Sequence, residues 1–123
     1  MLKRNFISID VSFISLRLVL PVANILLKES GGIVALIKPQ FEAGRDKVGK
    51  KGIVRDRNTH FEVIKEVVNF SKEIGLKAIG LTFSPVTGAT GNIEFLVYLK
   101  SQGKVINDNH ILTVIEDAHS TLK

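Results

Sequence analysis

Three ionisable residues of this 123-residue chain stand where strand-like runs meet loops: Asp10, Lys38 and Glu94. Asp10 ends "NFISID", Lys38 ends "IVALIK" and Glu94 lies at the start of "IEFLVYLK". An amine between two carboxylates is a set that can orient a weak nucleophile and move its proton. Each residue also has a plain structural reading. Asp10 can cap the turn into a following helix, and Lys38 can reach from the strand end into water. Glu94 is harder to place without a role, because a charge in an apolar strand needs a partner. Lys38 is the natural one.

The flanking elements say whether the three can meet. "NFISIDVSF" is β-branched and aromatic and predicts a buried strand ending near Asp10. "SLRLVLPVANILLKESGG" predicts a helix, broken near Pro21 and stopped by Gly31 and Gly32. "IVALIK" is apolar without alternation, as in a parallel strand covered on both faces. Thr59 followed by Glu62 has the capping-box spacing and predicts a helix from about His60. Phe61, Ile64, Val67, Val68 and Ile74 form its apolar face, and Gly75 ends it. "LKAIGLTFS" is another strand, and "PVTGATGN" is a loop whose glycines serve turns, since no helix follows them. "IEFLVYLK" is a last strand with no room for a crossover before it, hence antiparallel. "VINDNHILTVIEDAHSTLK" closes the chain as an amphipathic helix.

This order is half of a doubly wound α/β sheet. Ligands of such sheets bind beyond the carboxyl ends of the parallel strands. Asp10 and Lys38 end neighbouring parallel strands, and Glu94 starts a strand running the other way. All three are therefore expected on one edge, around one cleft.

Between Lys38 and the second helix runs "PQFEAGRDKVGKKGIVRDR", a long basic loop from Pro39 to Arg57 that carries Arg45, Lys47, Lys50, Lys51, Arg55 and Arg57. The chain has a net charge of +5 and a pI near 9.6. A polyanion such as nucleic acid is the partner such a balance favours, and a solvated basic surface is the plainer reading. Phe41 is the only aromatic of the loop, so phosphate contact is better supported than base stacking. The chain has no cysteine, which excludes disulfides and thiolate metal sites and suits a reducing compartment. His60, His110 and His119 lack ligand spacing, so no metal is expected. No apolar run is long enough to span a bilayer, and no cleavage site follows the N-terminal residues. The expected compartment is the cytoplasm.

"DVSFISLRLVLP", "GGIVALIKPQFEAGRDKVGKKGIVRD" and "GLTFSPVTGATGNIEFLVYL" together resemble the hemolysin A-type, FtsJ-like ribosomal RNA methyltransferases, from about Ile7 to Leu99. The resemblance implies an α/β fold, a Rossmann-like sheet of parallel strands with a final antiparallel one. It implies S-adenosylmethionine as cofactor and a ribose 2′-hydroxyl of ribosomal RNA, usually of cytidine, as methyl acceptor. The family's catalytic tetrad is Lys-Asp-Lys-Glu. Asp10 matches its aspartate, Lys38 its second lysine and Glu94 its glutamate. A ribose hydroxyl is a poor nucleophile, so the tetrad must align it with the sulfonium methyl and take its proton. A lysine beside another cation and out of bulk water can act as that base. The loop from Pro39 to Arg57 would then cover the RNA strand.

The family's S4-like RNA-binding domain, glycine-rich cofactor loop and first tetrad lysine have no counterpart here. Residues 1–123 thus resemble the C-terminal half of the catalytic domain, with cofactor-binding residues unassigned and activity by the isolated chain not expected. Such a half exposes the strand edge at residues 5–10, through which a homodimer is expected. Two other readings stay open: a non-enzymatic basic RNA-binding module, and a membrane-active hemolysin, as the family's name implies.

Overall fold

The computed structural model describes residues 2–88 and 91–122, the side chain of Lys50 excepted. Strand β1 (Arg4–Ile9) leads through helix α1 (Leu16–Leu26) to strand β2 (Leu27–Ile37), which lies parallel to it. A parallel pair needs such a crossover, because a hairpin can only join antiparallel strands. A four-residue helix, α2 (Pro39–Glu42), and two short 3₁₀ turns precede helix α3 (Arg57–Glu73). Strand β3 (Lys77–Phe83), strand β4 (Phe95–Lys100) and helix α4 (Asp108–Thr121) complete the fold. The sheet order is β1-β2-β4-β3, so β4 inserts between β2 and β3 and runs antiparallel to both.

The core follows from alternation. Ile33, Ala35 and Ile37 of β2 and Phe95, Val97 and Leu99 of β4 are buried on one face, against Leu16, Leu20, Ile64, Val67, Ile111 and Ile115 of the three long helices. The residues between them, Val34, Leu36, Leu96 and Tyr98, are only half-buried. β2 was expected to be covered on both faces. Here the helices cover one, and the outer edge of β1, with Phe6 exposed, pairs with no strand among the described residues.

Three boundaries differ from expectation, each for a physical reason. The helix expected to run to Gly31 and Gly32 ends at Leu26, and both glycines lie inside β2. They provide space rather than a helix stop. A Cβ on Gly31 would stand 2.6 Å from the carbonyl of Asn5, and one on Gly32 would stand 2.7 Å from the Tyr98 ring. Pro21 does not break α1, which continues through it. The N–H it lacks would serve only the carbonyl of Arg17, on an exposed turn. Finally, α3 starts at Arg57 rather than His60. Asp56 caps it, accepting from the backbone N–H and the hydroxyl of Thr59, so Thr59 is a donor to the cap and not the cap itself.

Candidate active site

The register of the sheet assembles the site. Ile9 pairs with Ala35, and Ile37 pairs with Phe95. Asp10, Lys38 and Glu94 each lie one residue beyond those strand ends, so all three emerge on the same edge. The Nζ of Lys38 lies 2.6 Å from Asp10 Oδ1 and donates to Ser12 Oγ at 3.0 Å. The lysine side chain is 13% exposed and that of Asp10 69%, so the cation sits inside the cleft and its counter-ion on the rim.

Glu94 is 7% exposed, and its partner is Gln40 rather than the expected Lys38: Gln40 Nε2 donates to Glu94 Oε2 at 2.9 Å. Pro39, with its fixed φ, opens α2 and brings the next residue back over Glu94, while Asp10 and Ser12 occupy the lysine. A carboxylate accepts only, which fixes the amide of Gln40 and leaves its Oε1 buried without a partner. Gly88 lets the carboxylate lie close to the backbone, since a Cβ on it would stand 2.6 Å from Glu94 Oε2. Gly91 has a φ of +93° and donates its N–H to the Gly88 carbonyl.

Lys38, Gln40, Glu94, Phe13, Phe41 and Lys51 line a cleft of about 480 Å³. Phe13 was not foreseen. It stands in the turn after β1 with φ of +65°, a conformation rare for a residue of its bulk, and is 88% exposed. Its ring centroid lies 4.7 Å from that of Phe41. The mouth of the cleft therefore has two aromatic rings where the sequence offered one. Glu42 was missed as well. It accepts from Ser15 Oγ at 2.7 Å and from the Leu16 N–H at 2.8 Å, joining the basic loop to the start of α1. Burial pushes its carboxyl up from the ordinary value, against those two hydrogen bonds.

The far wall of the cleft is held by neutral groups. Buried Asn92 accepts from the Val54 N–H at 2.9 Å and donates to the Gly52 carbonyl at 2.8 Å. Fully buried His60 joins the Val54 carbonyl through Nε2 at 3.0 Å and His119 through Nδ1 at 2.9 Å. A carbonyl can only accept, so Nε2 of His60 carries the proton and Nδ1 accepts from His119 Nε2–H. Burial pushes the His60 pKa down to about 4, and burial likewise lowers that of His119. Fifty-nine residues separate these two rings, and no sequence spacing announced their contact.

The basic residues do not act as one group. Lys51 lines the cleft, and Arg55 lies on the other side of the wall. Arg57 belongs to α3 and is bound to Glu116 of α4 at 3.0 Å, so it is not part of the loop and does not face the cleft. Arg45 and Lys47 flank Asp46 on a separate exposed turn. The side chain of Lys50, also assigned to RNA from the sequence, lies outside the described residues.

The pattern of the FtsJ-like methyltransferase family matches residues 2–101. The chain belongs to that family. The Bacillus subtilis protein named "Putative rRNA methyltransferase YqxC" is 52% identical over an alignment of 124 residues that covers 97% of this chain and 44% of that protein. "16S/23S rRNA (cytidine-2'-O)-methyltransferase TlyA" of Mycobacterium tuberculosis is 38% identical over 93 residues, 76% of this chain and 35% of its own length. A solved structure titled "Putative hemolysin from Streptococcus thermophilus" superposes with a TM-score of 0.89 at 44% identity, covering 95% of this chain and 43% of that one. The chain spans less than half the length of these relatives. Its sheet is the mixed, Rossmann-like sheet of the FtsJ-like family. Among the described residues no helix is long and apolar enough to cross a membrane.

Proposed function

We propose that this FtsJ-like chain is the C-terminal half of a catalytic domain that methylates a ribose 2′-hydroxyl, of cytidine, in ribosomal RNA. The observation that carries the reading is Lys38, enclosed in a cleft at the carboxyl ends of parallel strands, ion-paired with Asp10 and sharing that cleft with buried Glu94. In this reading Lys38 first passes its own proton by way of the exposed Asp10 carboxylate to water, and the neutral amine, kept in place by Asp10 and Ser12, then takes the hydroxyl proton. Glu94 and Gln40 fix the ribose, whose donors can satisfy the unpartnered Gln40 Oε1. The rings of Phe13 and Phe41 offer an apolar face to an unstacked base. Lys51 meets the phosphate beside it.

S-adenosylmethionine would supply the activated methyl group. This chain does not by itself fit that cofactor. The connection from β1 to α1 reads "DVSFIS", and that from β2 to α2 is a single lysine, so neither is the glycine-rich strand-to-helix turn that receives such a ligand. Cofactor binding is assigned to the part of the longer relatives that this chain does not span, and the isolated chain is expected to be inactive.

The test is transfer of a tritiated methyl group to unmodified ribosomal subunits by the chain extended to the relatives' length, by its Lys38→Ala variant and by residues 1–123 alone. The extended protein should incorporate label. The variant should lose roughly 10²- to 10⁴-fold, the size of a general-base contribution. Residues 1–123 should give none. An extended protein that binds RNA but transfers nothing would instead make this a non-enzymatic RNA-binding module.

A further inference from the structure

The wall formed by residues 52–54 and 91–94 has two sides, and only one faces the cleft. Gly52, Gly88 and Glu94 line the cleft, while their sequence neighbours Ile53, Thr87 and Ile93 line a second hollow of about 360 Å³ behind it. The two hollows are thus back to back, separated by two stretches of backbone that Asn92 and His60 hold in place. Ile53, Ile93 and Leu122 give the second hollow an apolar floor, His119 forms part of its wall, and Thr87 brings a hydroxyl to its rim.

Its cation is Arg55. Unlike Arg57, which is bound to Glu116, Arg55 makes no ion pair among the described residues and is exposed. A free guanidinium beside an apolar floor suits a group with a flat face and an attached anion, which is the chemistry of a nucleotide. The neighbouring cleft repeats the pattern, with Lys51 beside Phe13 and Phe41. Two such hollows on either side of a fixed wall would hold consecutive nucleotides of a single strand with their bases splayed apart.

We propose that the hollow behind the wall is a second nucleotide subsite, which takes the neighbour of the nucleotide in the cleft, its base on Ile53, Ile93 and Leu122 and its phosphate on Arg55. This rests on the RNA reading given above. It adds to that reading a reason why the chain recognises a strand rather than an isolated nucleoside.

The experiment titrates the isotopically labelled 123-residue chain with cytidine monophosphate and with the single-stranded trinucleotide ACA, following backbone amides by NMR. Both ligands should move Gly52 and Gly88 of the cleft. Only the trinucleotide should move Ile53, Arg55, Thr87 and Ile93. Arg55→Ala should weaken the trinucleotide roughly fivefold, the upper range for one exposed charge contact, and lower its logarithmic salt slope by about 0.7. It should leave the mononucleotide unchanged. If the trinucleotide moves the cleft amides but not those behind the wall, or if Arg55→Ala binds it as well as the parent, the subsite falls while the RNA reading stands. If neither ligand moves either set, both readings are overturned.

Discussion

The two sides of the cleft are built by opposite means. On one, Lys38 is held by Asp10, a carboxylate 69% exposed to water, and by a single serine hydroxyl. On the other, Asn92, His60 and His119 hold the backbone of residues 52–54 through neutral groups that are buried or half-buried. An ion pair whose carboxylate stands open to water contributes about 1 kcal/mol or less to folding, because water competes for and screens that partner. A buried hydrogen-bonded network is costly to interrupt, because whatever remains is left unpaired. The charged side is thus the one whose chemistry can be altered without loss of structure. The neutral side is the frame that gives the charged side its position.

The sharpest way to break this contrast is to remove the central member of the frame. His60→Ala deletes a ring that packs edge-on against Phe95 at 5.4 Å and leaves the Val54 carbonyl without its donor. Cavity and lost hydrogen bond together should cost about 4 kcal/mol, read as a shift of the urea midpoint at constant slope. A shift worth under about 1 kcal/mol would show that the wall holds without the histidine and that the two sides do not differ in kind.

Acid should attack the same side next. Both ring nitrogens of His60 are committed in its neutral form, and a second proton on Nδ1 would oppose the N–H of His119. Its folded pKa of about 4 lies below the ordinary 6.5, so between those values the unfolded chain takes up the proton and the folded one does not. The stability that His60 contributes is therefore fully present above about pH 6.5 and is lost as pH falls toward 4. The ceiling of that loss is about 3 kcal/mol. His119, also lowered, adds in the same direction. Glu42 works against both: its raised carboxyl pKa favours the folded state below about 4.5, and that contribution disappears as pH rises. Urea titrations between pH 7.5 and 5 should show stability falling with pH. A flat profile over that range would mean that His60 is not held neutral by its surroundings.

The charged side was readable in the sequence because its signals are local. Apolar runs that stop at Asp10 and Lys38, and a connection too short for a helix before Glu94, place three strand ends on one edge. The frame was not readable, since it depends on contacts between distant segments. Gly32 looks like a helix stop until Tyr98, sixty-six positions later, is seen to lie across it. His60 and His119 share no motif, and they meet only because α3 and α4 pack side by side. Gln40 took the place expected of Lys38 because α2 folds back over Glu94, a consequence of turn geometry that residue types alone do not give. Phe13 escaped notice for a related reason, since nothing in "DVSFIS" marks its positive φ.

The smallest effect on stability should come from the residue that matters most to the proposed chemistry. Lys38→Met keeps most of the side chain's length and apolar stem while removing the charge, so Asp10 loses its cation and Ser12 its donor. Asp10 is mostly exposed, so water replaces the lost partner, and no buried carboxylate is abandoned because Glu94 retains Gln40. The change in unfolding free energy should stay within about 1 kcal/mol, with the far-ultraviolet spectrum and the urea slope of the parent chain. In the extended protein the same substitution should cost methyl transfer roughly 10²- to 10⁴-fold. A Lys38→Met chain destabilised by 3 kcal/mol or more, a loss typical of a broken buried pair, would mean that the Lys38 side is also framework, and the division between the two walls would no longer hold.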